Sequence, residues 1–393
     1  MPALSHAIAD GTLTIELPDR LDTTNAPDVE ASIEALCKDA GNPPVVLDCE
    51  RLTYVSSTGL RVILRLGKRV GEVRIVNVAP AVYEVFEMTG FTELFEVTKA
   101  FRRISVDGCP VIGEGANGVV YRIDPDTICK VYRNPDALNE INRERELART
   151  AFVSGIPTAI PYDVVRVGDG YGSVFELLDA DSVASLLSSG TWTVEHVADE
   201  CVRLLKQIAQ TEVDPNVMPS IKDEALGWID VLATRLTVEQ TERLRELFLA
   251  IPDITRMIHG DFHIKNIMVQ NGELLLIDMD TLSHGNPVFD LASTYNAYQG
   301  FSLVDHGTVE RFMGIPYETA SRLWSLILHG YFEGCGEEEV RAAEDKIRLV
   351  SSVRLMRRPI QRGELDQPGA LEFVEAHQAV IGELLPRVES LAI

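Results

Sequence analysis

The 393-residue sequence has only six cysteines, Cys37, Cys49, Cys109, Cys129, Cys201 and Cys335, and no two of them form a CxxC pair. That scatter argues against a disulfide framework or a cysteine-bound metal, and for free thiols in a reducing cytoplasm. No run of about 18 apolar residues is present, so no membrane-spanning helix is expected. The opening MPALSHAIADG has no basic stretch followed by an apolar one, so no secretory signal is expected. Basic residues are scarce: 36 Lys and Arg stand against 60 Asp and Glu, a formal net charge of −24. Such a chain is a poor partner for nucleic acid or for an anionic membrane surface. Solenoid-period repeats and low-complexity segments are missing. So is the GxxxxGK[ST] pattern, which excludes a P-loop ATPase.

What remains is an ordinary globular composition, 46% apolar and 24% charged, at a length that suggests two or three domains. The charge is uneven. Residues 1–104 hold 15 acids and 11 bases, a net of −4, which leaves −20 for the rest. The first hundred residues alternate strand and helix. Asp10-Gly11 reads as a hairpin turn, and Leu13, Ile15 and Leu17 alternate as a strand. Thr23, Thr24 and Asn25 offer caps for a helix through Lys38 with Val29, Ile33 and Leu36 on one face. Val45-Val46-Leu47 and Val73 to Val78 read as strands, with a helix after Ser56-Ser57-Thr58-Gly59 and another from Pro80 to Gly90. The order β-β-α-β-α-β-α predicts a small α/β domain with a mixed sheet. From Ile104 onward strand-like runs dominate to Leu178, interrupted by one helix over Leu138–Val153, and helices follow. Asn271-Gly272 between Ile267-Met268-Val269 and Leu274-Leu275-Leu276-Ile277 is a strong hairpin signal.

Gly113-Glu114-Gly115-Ala116-Asn117-Gly118-Val119-Val120 fits GxGxxGxV. A dinucleotide-binding loop would open a helix, whereas Val119-Val120-Tyr121-Arg122-Ile123 reads as a strand, the arrangement of kinases. Gly113, Gly115, Asn117 and Gly118 are therefore candidates for holding nucleotide phosphates. Lys130 ends the next strand and can reach phosphates if a carboxylate holds it. Glu144 is favoured for that role, with Glu146 close behind. His259-Gly260-Asp261-Phe262-His263-Ile264-Lys265-Asn266 carries Asp and Asn five apart, as in the kinase catalytic loop. That spacing lets Asp261 meet an acceptor hydroxyl while Asn266 turns back to a metal ion on the phosphates. Asp278 follows the hairpin, seventeen residues after Asp261, in the place of the metal-binding Asp that follows this hairpin in kinases. A zinc reading of His259 and His263 lacks the HExxH glutamate, and His259 reads as a structural brace.

On these residues the segment 105–393 resembles the aminoglycoside phosphotransferase and choline kinase-like superfamily, whose signatures look like HGDxHxxN and an IDxD after a hairpin. The resemblance covers about three quarters of the chain. It implies ATP and Mg²⁺ as cofactors, Asp261 as catalytic base, Asn266 and Asp278 as metal ligands, and a small-molecule hydroxyl as acceptor. Adenine contacts are expected near Phe175-Glu176-Leu177-Leu178, where the lobes join, with Glu176 and Leu178 as the candidates. Only 12 residues separate Asp278 from Asp290, too few for the activation loop of a protein kinase. Asp290 resembles the family's structural Asp, which braces the catalytic loop. Lys265 stands where the family often has glycine, and reads as a phosphate contact or a solvated side chain.

Residues 5–98 resemble the anti-sigma factor antagonist (STAS) domain through Leu52-Thr53-Tyr54-Val55-Ser56-Ser57-Thr58-Gly59-Leu60 and Asn77-Val78-Ala79-Pro80-Ala81-Val82. The family implies a protein partner and a phosphoacceptor serine at this helix N-terminus, aligned with Ser57. An aspartate usually precedes that serine, and here Ser56 does. The alternative reading makes Ser56, Ser57 and Thr58 helix caps only. The expected fold is thus an α/β STAS-like domain over 1–100 and an α+β, bilobal protein-kinase-like domain over 105–393. Its N-lobe is expected over residues 105–178 and its C-lobe over 179–393. One feature stays unassigned. Arg354, Arg357, Arg358 and Arg362 form a basic cluster in an acidic domain, suited to an anionic substrate or, more simply, to pairing with nearby acids.

Overall fold

A computed structural model describes residues 4–9, 11–115, 117–178 and 180–393. Asp10, half of the expected first turn, and Ala116 of the glycine-rich loop lie outside the described residues. The chain divides into two compact units, Met1–Ser105 with Val164–Gly168, and Val106–Asp163 with Asp169–Ile393.

In the first unit five strands run in the order His6–Ala9, Thr12–Glu16, Val45–Asp48, Val73–Val78, Glu96–Lys99. The first pair is antiparallel and the rest are parallel. Alternation sets the register: Leu13, Val45 and Val73 form one buried row across the sheet, and Ile15, Leu47 and Ile75 the next. Helix Ala26–Asp39 buries Val29, Ile33 and Cys37; Cys37 takes the place the periodicity gave to Leu36, which is half-buried. Asn25 precedes this helix without capping it. Its amide instead donates to the Arg20 carbonyl at 2.6 Å and accepts from the Asp22 N–H at 2.9 Å. The strand Glu96–Lys99 was not legible in the sequence, because Val97 is its one apolar residue and it lies at the sheet edge. The helix from Pro80 stops at Met88, and a short turn of helix, Phe91–Leu94, follows Gly90.

In the second unit four antiparallel strands lie in the order Gly170–Glu176, Thr127–Tyr132, Gly118–Asp124, Val111–Glu114, with helix Leu138–Val153 as expected. A helical region follows. The Asn271-Gly272 turn is a two-residue hairpin loop, with Gln270 opposite Glu273 and φ of 52° and 83°. Both residues take the positive φ that a type I′ turn needs. The structure adds Asp181–Ser182 as a third strand beside this hairpin. One hydrophobic core extends from Leu147 to Leu391 and includes Ile258, Phe262, Ile264 and Ile267. The segment that carries Asp261 and Asn266 is therefore anchored by apolar residues on either side of each. Among the described residues no helix is long and apolar enough to cross a membrane.

His377, on helix Ala370–Leu384, sits in this core with Nδ1 3.2 Å from Ser352 Oγ. Burial pushes its imidazole from the ordinary 6.5 down to about 4. Between those values the unfolded chain takes a proton that the folded one refuses. The contribution of His377 is therefore full above pH 6.5 and is lost as the pH drops towards 4, by about 3 kcal/mol at ~1.4 kcal/mol per unit. Between pH 7 and 4.5 the urea-unfolding slope of wild type should differ from that of His377→Leu by that amount per unit; equal slopes would refute this assignment.

Candidate active site

The loop after Met257–Ile258 is held by backbone pairing with Ser283–His284. Gly260 has φ of 79°, and a Cβ there would lie 2.7 Å from the Thr281 carbonyl oxygen, so only glycine fits. Asp290, buried, accepts from the His259 N–H at 3.0 Å and the Gly260 N–H at 2.7 Å. Ser293 Oγ donates to the Gly260 carbonyl at 2.8 Å, and Tyr298 Oη accepts from the Ile264 N–H at 3.2 Å. All three side chains come from helix Val288–Tyr298, so one helix fixes the backbone on both sides of Asp261. The Asp261 N–H donates to His259 Nδ1 at 3.3 Å, which requires the neutral Nε2–H tautomer. Burial favours the same state by pushing the His259 pKa down.

Asp261 itself is half-exposed. Burial acts to raise its pKa, but the nearby His263 imidazole, with His259 and Arg354 beyond, holds the carboxyl at about 2. His263 Nε2 is 3.6 Å from Asp261 Oδ2. Asn266 Nδ2 donates to the Asp261 carbonyl at 3.0 Å and to its Oδ2 at 3.4 Å. The amide is thereby oriented by its NH₂ group, and its oxygen stays available to a cation.

Asp278 adopts φ of 63°, uncommon for a residue with a side chain. Its Oδ1 is 3.2 Å from Lys130 Nζ, and Lys130 is also 3.0 Å from Glu144 Oε1. Glu144 is buried and accepts a further bond from Tyr132 Oη at 2.7 Å, whereas Glu146 is exposed. Burial pushes the Lys130 pKa down; the charges of Asp278 and Glu144 outweigh it and hold the ammonium ionised. Asp280, two residues on, accepts from Asn117 Nδ2 at 2.8 Å. Burial and the charge of Asp278 push the Asp280 carboxyl up to about 7. Sequence reasoning missed both Asp280 and Tyr132. The signal for Asp280 was its two-residue spacing from Asp278; Tyr132 carried none, since its role depends on the long-range approach of Glu144.

The donor set fits a divalent ion. Lys130 is shared between two carboxylates, Glu144 at 3.0 Å and Asp278 at 3.2 Å, so one ammonium stands against two negative charges. Among the described residues no three His, Cys, Asp or Glu side chains are grouped to hold a metal alone. One amide oxygen and one carboxylate, completed by water and phosphate oxygens, suit Mg²⁺.

In the glycine-rich loop, a Cβ on Gly118 would lie 2.4 Å from the Val131 carbonyl oxygen, so close strand approach requires that glycine. Among the described residues a Cβ on Gly115 would meet nothing within 4 Å. Arg133 pins the loop through its N–H to the Asn117 carbonyl at 3.0 Å and an ion pair with Glu114. At the end of strand Gly170–Glu176 the Leu177 N–H is engaged by the Asp126 carbonyl at 2.8 Å. Glu176 is the last residue of that strand, opposite Thr127, and Leu178 lies two residues beyond its end. Lys265 is exposed, with Nζ 5.3 Å from the Phe312 ring centroid.

The model of the family described as phosphotransferase enzyme family matches residues 108–312, just over half of the chain. The chain belongs to this family. The first resemblance drawn from the sequence is thereby borne out, and the second is too: the STAS domain model matches residues 4–104. Ninety-five residues of this phosphotransferase are 40% identical to a Bordetella bronchiseptica protein named as an anti-sigma factor antagonist, BtrV, covering 23% of this chain and 81% of that one. Among solved structures, the phosphotransferase is similar to ADP-bound aminoglycoside phosphotransferase APH(2'')-Ib, at 18% identity and a TM-score of 0.47, over 72% of this chain and 94% of that one. A thermostable mutant of aminoglycoside phosphotransferase APH(4)-Ia, in its apo form, is similar at 13% identity and a TM-score of 0.49, over 70% of this chain and 93% of that one.

In the STAS domain, Ser56 caps helix Ser57–Val70 by accepting from the N–H groups of Thr58 at 3.2 Å and Gly59 at 3.4 Å. Ser57, the first helical residue, is exposed.

Proposed function

We propose that the protein transfers the γ-phosphate of ATP to a hydroxyl group of a small molecule. What carries this reading is two bonded sets, Lys130 with Glu144 and Asp278, and Asn266 with Asp261, at 3.0 to 3.4 Å, joined where the Ile277 N–H, next to Asp278, donates to the Asn266 carbonyl at 2.9 Å. Gly113, Gly115, Asn117 and Gly118 hold the phosphates, and the Glu176 and Leu178 backbone holds the base. Lys130, kept ionised by Glu144, offsets phosphate charge. Asn266 and Asp278 would hold Mg²⁺, which supplies further charge neutralisation when bound. Asp261 orients the acceptor hydroxyl. As its oxygen bonds to the γ-phosphorus, the bond to the bridging oxygen breaks, ADP leaves with the electron pair, and the hydroxyl proton passes to the Asp261 carboxylate.

The test is ADP release by the full chain with ATP or GTP and Mg²⁺ across sugars, amino sugars, amino alcohols and hydroxy acids. Acceptor-dependent release that EDTA abolishes is expected, and no release with any acceptor would sink the reading. The cytoplasm, which supplies ATP and keeps the cysteines free, is the fitting compartment. The STAS domain supplies a surface for a protein partner. A second reading, in which the kinase unit phosphorylates Ser57 or that partner, is favoured by the exposure of Ser57 at a helix start. Mass spectrometry after ATP incubation decides it: absence of phosphate on Ser57 removes the self-phosphorylation version.

A further inference from the structure

The basic cluster on helix Glu337–Gln361 is only partly paired. Arg357 Nη1 is 3.2 Å from Glu224 Oε1, and the same oxygen accepts from Trp228 Nε1 at 3.1 Å. Arg362 is 3.9 Å from Glu364. Arg357 Nε is buried with no partner among the described residues. Arg354 is half-buried, and among the described residues its guanidinium has no hydrogen bond or ion pair. Its Cζ lies 5.7 Å from the Trp228 ring centroid, with Arg357 Cζ 4.9 Å from the same centroid. Structural pairing thus accounts for Arg357 and Arg362 and leaves Arg354 over.

The position of Arg354 is what gives it a use. Trp228, under Arg354, meets the Phe289 ring edge-on at a centroid distance of 6.3 Å, and the next residue, Asp290, accepts from the His259 and Gly260 N–H groups at 3.0 and 2.7 Å. Ser351, one turn before Arg354, donates to Asn296 on the same helix as Asp290. Arg354 thus sits against the helix that braces the Asp261 loop, and Asp261 is the charge that acts most on it. Arg358, one turn beyond Arg354 on the same helix face, also feels Asp261 and is exposed. Glu224 is already committed to Arg357 and Trp228, and among the described residues Arg354 has no ion-pair partner of its own. The cation–π contact with Trp228 helps hold the Arg354 side chain in place, and a guanidinium suits two-point binding of an oxyanion.

We propose that Arg354, with Arg358, forms an oxyanion subsite beside Asp261, so that the phosphate acceptor is a hydroxyl compound bearing a carboxylate or phosphate group. The proposal rests on the phosphotransferase reading above and narrows its substrate class. A polycationic acceptor would have to place its charge against these arginines, a repulsive contact. The overall acidity of the chain does not bear on this, because local charge decides recognition while net charge acts at longer range.

Two measurements on the full chain test it. In ADP release, hydroxy acids and sugar phosphates should be preferred over the parent sugars, and amino sugars should be poorest; the two anionic arms separate carboxylate from phosphate. Arg354→Gln should lower kcat/KM for the anionic class by about ten- to a hundredfold, and for neutral acceptors much less. Arg354→Lys should keep part of the preference. An amino sugar as best acceptor overturns the proposal. So does an equal loss for anionic and neutral acceptors, which would reduce Arg354 to tuning Asp261. The second measurement is calorimetric titration of inorganic phosphate with the nucleotide site filled by Mg-ADP. Binding weakened about tenfold in Arg354→Gln supports the subsite even if no acceptor is turned over; binding equal to wild type refutes it. Failure to bind Mg-ADP and to release ADP counts against the phosphotransferase reading instead.

Discussion

Asp261→Asn is expected to lower kcat by about 10²–10⁴-fold while leaving nucleotide affinity and thermal stability close to those of wild type. The amide keeps the shape of the carboxylate and one acceptor oxygen for Asn266 and His263, so the loop geometry survives. It cannot take a proton. A carboxyl held at about 2 is a weak base, and at first sight a poor choice for proton abstraction. The loose transition state of phosphoryl transfer resolves this. Little bond forms to the hydroxyl oxygen until late, so its proton becomes acidic only as the new bond closes. What Asp261 must provide earlier is orientation, which an ionised, rigidly placed carboxylate does well. Steady-state ADP release and nucleotide titration separate the two parts. A loss of nucleotide binding equal to the loss of turnover would mean that Asp261 shapes the site without taking the proton.

The parts of this site legible in the sequence are those made by contiguous residues. The loop from His259 to Asn266 and the Asn271-Gly272 turn carry their geometry locally: a glycine that alone fits at φ of 79°, and a turn pair that takes positive φ. Lys130 and Asp278 could be placed because a strand and a hairpin end fix where they point, although the strand runs two residues past Lys130, to Tyr132, instead of ending there. Partners that depend on two distant segments meeting were not legible. Asn117 and Asp280 are 163 residues apart and bonded at 2.8 Å, and no period or spacing connects them. Arg354 was visible as charge, but its lack of a partner is a property of packing. The same division holds in the STAS domain. The rows Leu13–Val45–Val73 and Ile15–Leu47–Ile75 follow from alternation. Strand Glu96–Lys99, with one apolar residue, is recruited by its neighbour's free edge.

Lys130→Met is expected to abolish measurable transfer and to destabilise the second unit by about 3–5 kcal/mol, the range for breaking a buried ion pair from one side. The reason lies in what is left behind. Lys130 and Glu144 have side-chain exposures of 15% and 8%, so neither can exchange its partner for water. Without the ammonium, Glu144 retains only the Tyr132 hydroxyl, and Asp278 and Asp280 lose the cation nearest to them. Glu144→Gln should be milder, because the amide oxygen still accepts from Tyr132 or Lys130, and Lys130 keeps Asp278. Combining the two changes should recover part of the stability lost in Lys130→Met, with a coupling of about 0.5–3 kcal/mol in a double-mutant cycle, yet restore no activity. Stability and transfer would then part company, as they must if the pair is held together for the sake of the phosphates. Urea unfolding of the four proteins beside their ADP release provides the comparison. Additive stabilities would show that Lys130 and Glu144 do not meet in solution, and a double variant regaining turnover would show that the phosphates need no cation at that position.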